Sequence, residues 1–275
     1  MNRKLVFLDI DNTLTHAGSQ VPPESAVRAI KKAQERGHKV FLCSGRNHGM
    51  MVPLLEYGFD GGIASCGGYV FAGEDVLYDD PMPEDQRNRL LTLFAENGVS
   101  IEIESKDDSY CDDIARRFLT DDRYKNSHVR RMIKAVWVDL GPHPMEDYDG
   151  RPFYKSVFVY ENDDQLSTAR AELEDDLMFI LHDFSEPGCK FGEVISRNID
   201  KGSAVRIVAE KLGFDIADTI GFGDSMLDLE MIETVGTSVC MDNGSPMLKE
   251  MSDMVCPSVD EDGIEWGFRK LGLID

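Results

Sequence analysis

The run Leu5-Val6-Phe7-Leu8 is apolar at every position and stops at two carboxylates, Asp9 and Asp11. A half-exposed strand would alternate. An unbroken apolar run suits a central strand covered on both faces, as in a parallel sheet flanked by helices. On an extended chain, residues two apart point to the same side. Asp9 and Asp11 are therefore expected to share one pocket if the strand continues through Ile10. Two buried carboxylates repel, so a cation, a shared proton or a basic partner must offset them. Taken alone, Asp11-Asn12 reads equally well as the cap of a turn.

The chain then repeats one rhythm. Helical spacing over Glu24 to Arg36 is followed by a strand at Lys39 to Cys43 that ends in Ser44-Gly45-Arg46. A helix is expected from Asn47 to Glu56, a strand from Gly61 to Ser65, and a hairpin over Tyr69 to Tyr78 that turns at Gly73. Strand, helix, strand at this spacing gives a parallel sheet with crossover helices. The expected class is α/β: a Rossmann-like three-layer core with a parallel sheet, plus an inserted α+β unit.

The rhythm breaks at Pro81-Met82-Pro83. A helix over Glu84 to Asn97 precedes a strand at Val99 to Ile103 that alternates as if half exposed. Lys106 to Arg117 reads as helix or loop. Further strands are expected at Ile133 to Leu140, Phe153 to Tyr160 and Leu177 to Leu181, with a helix over Asp163 to Asp175. The expected division is a discontinuous core of residues 1–81 and 189–275, with residues 82–188 as the insertion. The strand Lys190 to Ser196 falls on the core side of that boundary. The core then continues with a helix from Ser203 to Leu212, a strand at Thr219 to Gly223 and a helix from Asp224. Strands at Ser238 to Met241 and Met254 to Cys256, and a helix near Asp262 to Leu271, close it.

Charge excludes several partners. The 275 residues carry a net charge of -22. That field repels nucleic acid and anionic membrane, and any phosphate site needs its own local cation. No run approaches the ~20 apolar residues of a membrane span. The five apolar residues that precede Asp9 are too few for a signal peptide, so a cytoplasmic location is expected. The six cysteines and six histidines are scattered, without CxxC or HExxH, which leaves a zinc site or a disulfide framework unsupported.

Four strand ends or helix starts carry polar groups: Asp9 with Asp11, Ser44-Gly45, Lys201, and Gly223-Asp224 with Asp228. Sites in open parallel sheets form at the carboxyl ends of the strands, so all four groups are expected at one edge. Each also has an ordinary reading, as a turn, a solvated lysine or an N-cap. Lys201 opens a helix at the end where the dipole favours anions, which hints at an anion beside it. Carboxylates gathered this densely demand a divalent cation. An all-oxygen donor set suits Mg²⁺, which binds through a few carboxylates, waters and substrate phosphate.

These stretches resemble the haloacid dehalogenase superfamily of phosphohydrolases: Asp9-Ile10-Asp11-Asn12-Thr13-Leu14 (its DxDxT motif), Cys43-Ser44-Gly45-Arg46, Lys201-Gly202, and Gly223-Asp224-Ser225-Met226-Leu227-Asp228. The insertion is similar to the large α/β cap of the Cof-like branch, and the resemblance covers essentially the whole chain. It implies a phosphatase acting on a small phosphorylated metabolite such as a sugar phosphate. Asp9 would be the nucleophile that becomes an aspartyl-phosphate, and Asp11 the general acid and base. Ser44, Gly45 and Lys201 would hold the phosphate. Asp9, the Asp11 backbone carbonyl and Asp224 would hold Mg²⁺, with Asp228 in support. Arg116, Arg117, Arg130 and Arg131 are candidates for contact with an anionic group. Two departures stand out: Leu227 and Cys66 occupy positions where the branch has Asn. A phosphomutase keeps the same two aspartates, and a catalytically silent phosphosugar-binding protein would tolerate Leu227. Nothing in the sequence fixes the oligomeric state.

Overall fold

Fourteen strands and eight α-helices are found among residues 3–113, 141–181 and 190–275, which the computed structural model describes. They form two units, Met1–Asp79 with Ile199–Asp275, and Asp80–Asn198. In chain order the first unit begins with β1 (Leu5–Leu8), α1 (Glu24–Glu35), β2 (Lys39–Cys43), α2 (His48–Leu55), β3 (Gly61–Ala64), β4 (Tyr69–Ala72) and β5 (Asp75–Asp79). The second unit holds α3 (Glu84–Glu96), β6 (Ser100–Ser105), β7 (Ser109–Cys111), β8 (His143–Pro144), β9 (Phe153–Tyr160), α4 (Asp164–Leu173), β10 (Leu177–Leu181) and β11 (Lys190–Ser196). The chain returns to the first unit with α5 (Lys201–Leu212), β12 (Thr219–Gly223), α6 (Leu229–Thr234), β13 (Thr237–Met241), α7 (Pro246–Met251), β14 (Met254–Cys256) and α8 (Gly263–Lys270).

The sheet of the first unit runs β14-β13-β12-β1-β2-β3-β4-β5. The first six of these pair in parallel, and the pairs β3–β4 and β4–β5 are antiparallel. β1 is central, as its unbroken apolar run requires. Leu5 and Phe7 pack with Val205 and Val208 of α5 and Met231 of α6. Val6 and Leu8 point the opposite way and are equally buried. Burying side chains of this size contributes about 1.5–3 kcal/mol each. Strand order reverses between β1 and β12. The crevice beyond the carboxyl ends of that pair is where sheets of this kind bind ligands.

One buried histidine ties the start of β1 to the end of α1. His38 is 3% exposed, and its Nδ1 accepts the Lys4 backbone N–H at 3.0 Å. Burial, then the charges of Arg36 and Lys4, hold its pKa below the usual 6.5. The folded state therefore binds fewer protons than the unfolded chain just below that pH, and stability rises with pH there. Urea midpoints are expected to fall as pH drops through 6.5 toward 5, more steeply for wild type than for His38→Asn. Parallel curves would rule out this histidine as the cause.

The second unit is an antiparallel sheet of order β10-β11-β9-β6-β7-β8 with a parallel β7–β8 pair. Leu90, Phe94, Leu166 and Leu173 of α3 and α4 cover one face, against Ile101, Ile103 and Phe158. Two expectations are corrected here. The strand Lys190–Ser196 belongs to this sheet, paired with β9 and β10, so the unit ends at Asn198 rather than 188. A boundary drawn at Pro187-Gly188 cuts it from its partners β9 and β10. The strand over 100–105 is buried throughout rather than half exposed. Glu104 is buried because Lys155 Nζ lies 3.1 Å from it and 3.4 Å from Glu193. Burial still pushes the Glu104 carboxyl upward, and Lys155 pulls it back. The expected strand at Ile133 to Leu140 and the four arginines 116, 117, 130 and 131 lie outside the described residues.

Candidate active site

The chain leaves β1 at Leu8, and Ile10 opens a turn instead of extending the strand. The carbonyl of Ile10 accepts from the backbone N–H groups of Thr13, Leu14 and Thr15. This turn separates the two early aspartates. Asp9 stays at the strand end, 6% exposed, and its Oδ1 accepts from Lys201 Nζ at 2.7 Å. Asp11 turns to Arg46: Nε donates to Oδ2 at 2.9 Å and Nη2 to Oδ1 at 2.7 Å. The Gly18 N–H also donates to Asp11 Oδ1, at 2.6 Å. The two carboxylates thus take different cationic partners, Lys201 for Asp9 and Arg46 for Asp11. Strand geometry does not persist, and a guanidinium takes the second carboxylate.

Lys201 comes from the first turn of α5, whose N-cap Asp200 accepts from the Ser203 N–H. Gly202 lets that helix approach α6; a Cβ there would lie 2.3 Å from the Glu230 carbonyl. The ammonium is 4% exposed and spans two carboxylates, Asp9 and, at 2.5 Å, Asp228 Oδ1. Burial works against its charge. Asp228 and Asp9 outweigh that, and the Lys201 pKa is held well above the ordinary value.

Asp228 is fully buried at the end of a single 3-10 turn, Met226–Asp228. Its Oδ2 accepts the N–H groups of Asp224 and Ser225, both at 3.1 Å. Gly223 makes this possible, since a Cβ there would lie 2.7 Å from the Asp228 side chain. Asp228 thus closes the loop after β12 and orients Lys201. The sequence expectation of a helix from Asp224 is replaced by this capped turn, with α6 starting at Leu229. Leu227 is 40% exposed, and its N–H donates to Ser225 Oγ.

Ligand atoms of Asp9, Asp224 and Asp228 lie within 4.8 Å of one another. Burial first, and then Asp228, pushes the Asp224 carboxyl up to about 7. Asp9 is raised by the same two causes, with Lys201 opposing. Three carboxylates face one ammonium, and this excess adds to the effect of burial. A divalent cation would relieve it, so the donor set fits a hard metal ion. With both Asp228 oxygens engaged, Asp9 and Asp224 are the carboxylates left to hold one.

Ser44 and Gly45 follow β2, the neighbour of β1. Cys43, just before them, is pushed up by burial and feels the charges of Lys201, Asp228 and Asp9, which places the end of β2 beside the cluster. Ser44 is 2% exposed, and its Oγ accepts the Arg46 N–H at 3.1 Å. Behind it, Ser65, Cys66 and Gly67 are three consecutive residues with positive φ. The Cys66 N–H donates to the Ser44 carbonyl and the Ser65 N–H to that of Arg46, fixing the loop.

Arg46 is a site residue that the sequence reading does not assign. The available signal was the one that singled out Lys201: a cation at a strand end in an acidic chain. That it would be 7% exposed and reach Asp11 follows only from the turn at Ile10.

A family model described as haloacid dehalogenase-like hydrolase matches residues 6–267. YkrA of Bacillus subtilis (strain 168), which carries a phosphatase name, is 33% identical over 275 residues, covering 100% of both chains. YwtE of the same organism, named 5-amino-6-(5-phospho-D-ribitylamino)uracil phosphatase, is 25% identical over 283 residues, covering 98% of each. The solved structure of the subclass IIB sugar phosphatase BT4131 shares the fold, with a TM-score of 0.76, 20% identity, and coverage of 98% of this chain and 100% of that one. Sheet order and the inserted unit are those of a mixed α/β protein with a parallel core sheet and a second sheet. The chain belongs to the haloacid dehalogenase-like hydrolase family. Within it the activity class is that of a phosphatase. Among the described residues, no helix is long and apolar enough to cross a membrane.

Proposed function

We propose that the chain is a Mg²⁺-dependent phosphatase for a small phosphorylated metabolite, working through an aspartyl-phosphate on Asp9. The single observation that carries this reading is the buried ion cluster at the β1/β12 switch point. Asp9 shares the Lys201 ammonium with Asp228, 4.8 Å or less from Asp224.

The roles proposed are those that the family resemblance implies, and the geometry is compatible with them. Asp9 offers a carboxylate oxygen to phosphorus, and the bond from phosphorus to the alcohol oxygen breaks. Asp11 supplies the proton that the leaving oxygen takes. In the second half a water attacks the acyl phosphate, gives its proton to Asp11, and releases phosphate with Asp9 restored. Splitting the transfer in this way replaces one hard step with two easier ones. To carry a proton, Asp11 gives up one of its two guanidinium contacts, and Arg46 keeps it aimed by the other. Lys201, together with Ser44 and Gly45, would receive the phosphoryl oxygens. Mg²⁺ would be held by Asp9, Asp224 and the Asp11 carbonyl, and when bound it neutralises charge on the transferring group. The unit 80–198 would select the substrate. A phosphorylated polyol or sugar is the favoured class, in line with the phosphoribityl compound in the name of the YwtE relative.

The test is a panel of sugar and polyol phosphates assayed for released phosphate, with Mg²⁺ and with EDTA. Release that requires Mg²⁺ is expected. Binding of a phosphosugar without release would favour the silent reading suggested by Leu227. Isomerised sugar phosphate without free phosphate would favour a mutase.

A further inference from the structure

The turn that follows β3 has no task in the scheme above. Ser65, Cys66 and Gly67 have φ of +49°, +58° and +113°. Two of the three carry a Cβ, which left-handed backbone disfavours. Strain of this kind persists only where the surroundings over-determine it, and it gathers at functional sites. Here the turn is held from two sides. Toward β2, the Cys66 N–H donates to the Ser44 carbonyl at 3.1 Å and the Ser65 N–H to the Arg46 carbonyl at 2.8 Å. Toward α5, Gly67 packs against the Asp200 carbonyl. A Cβ there would lie 2.5 Å from that oxygen and 3.3 Å from the Ala204 Cβ. The Gly68 N–H closes the turn on the Ser65 carbonyl at 3.1 Å.

Ser44 and Lys201 come from distant parts of the chain, and this one turn touches the backbone of both segments. Ser44 Oγ accepts the Arg46 N–H and keeps its own proton to give. Lys201 follows directly on Asp200, the N-cap of α5. We infer that the turn 65–68 sets the spacing of the phosphate site, with Gly67 as its positioning residue: it holds the Ser44 loop against the start of α5 so that the Ser44 hydroxyl and the Lys201 ammonium reach one phosphoryl group. The inference rests on the phosphate-holding roles proposed above. A misplacement of ~1 Å at a positioned group can cost ~10²-fold. None of the neighbours Ser44, Arg46, Asp200 and Ala204 is a proposed ligand of Mg²⁺, so the metal end of the site should not feel the turn. The competing explanation is that the turn only joins β3 to β4.

Gly67→Ala separates the two, because it drives a Cβ into the Asp200 carbonyl at a φ that only glycine adopts freely. The experiment titrates inorganic phosphate calorimetrically into the full chain at saturating Mg²⁺, and Mg²⁺ alone into the EDTA-stripped chain, for wild type and variant. Loss of one hydrogen bond to a charged group predicts a phosphate Kd ~10–100-fold weaker in Gly67→Ala, with the Mg²⁺ Kd at its wild-type value. Two affinities that weaken together are what general loosening would give, and they overturn the inference. So does an unchanged phosphate Kd, which leaves the Ser44 and Lys201 roles standing. A wild type that takes up no phosphate overturns those roles as well. Ala204→Val is the second variant. It brings bulk against Gly67 from the helix side and should show the same selective loss of phosphate. A valine variant that binds phosphate like wild type overturns the inference even if Gly67→Ala does not fold.

Discussion

Asp9→Asn is expected to abolish phosphate release while leaving the fold intact. The amide fills the same space at the end of β1 and still accepts from Lys201 through its oxygen. It removes one of the three acidic groups whose crowding raises Asp9 and Asp224, so the metal-free protein should not be less stable. It has no anionic oxygen to place on phosphorus. Losing a covalent nucleophile costs on the order of 10⁴-fold or more in kcat. Release of phosphate from p-nitrophenyl phosphate, alongside a circular dichroism melt, measures both sides. Wild-type turnover by Asp9→Asn would sink the nucleophile assignment. Asp11→Asn is the contrasting variant. It should lose roughly the 10²–10⁴-fold that a positioned acid or base supplies, and it should still accumulate phosphoenzyme, because the first attack belongs to Asp9.

The second large effect concerns stability. Lys201→Met keeps the aliphatic stem and removes the ammonium that Asp9 and Asp228 share. Two carboxylates at 6% and 0% exposure then lose their counter-charge. Breaking a buried pair from one side costs about 3–5 kcal/mol, because an uncompensated charge stays behind. Urea unfolding in EDTA should show a loss of this size. Adding Asp228→Asn to Lys201→Met should return part of it, since one of the stranded charges is gone; neighbours of this kind do not add. A loss within the scatter of surface substitutions would mean that the ammonium is not what holds the cluster.

Both predictions draw on residues that the sequence already singled out, and the reason is local. Asp9, Lys201 and Asp224 each sit at the end of a buried strand or the start of a helix. Apolar runs, glycines and caps mark those ends within a few residues, and parallel topology sends them to one edge. Asp11 was found by the same logic and its partner was not. Whether a side chain two residues on shares a pocket depends on where β1 stops, and Ile10 takes three backbone donors that no alternation rule foresees. The pairing of Arg46 with Asp11 is not legible in the motif that contains Arg46, because reach across loops is not a property of spacing.

By itself, then, the sequence determined a doubly covered central strand, its parallel neighbours, an inserted second unit, and the polar residue types proposed for a phosphoryl site in an acidic chain. Tertiary structure alone decided which strand joins which sheet. It moved Lys190–Ser196 into the second unit and buried Glu104 against Lys155 where alternation suggested solvent. It also decided which cation meets which carboxylate. Periodicity and end signals are written over a few residues and survive in any context. Pairing and charge compensation are settled between positions as far apart as Asp9 and Lys201, separated by 192 residues, and exist only once the chain has closed on itself.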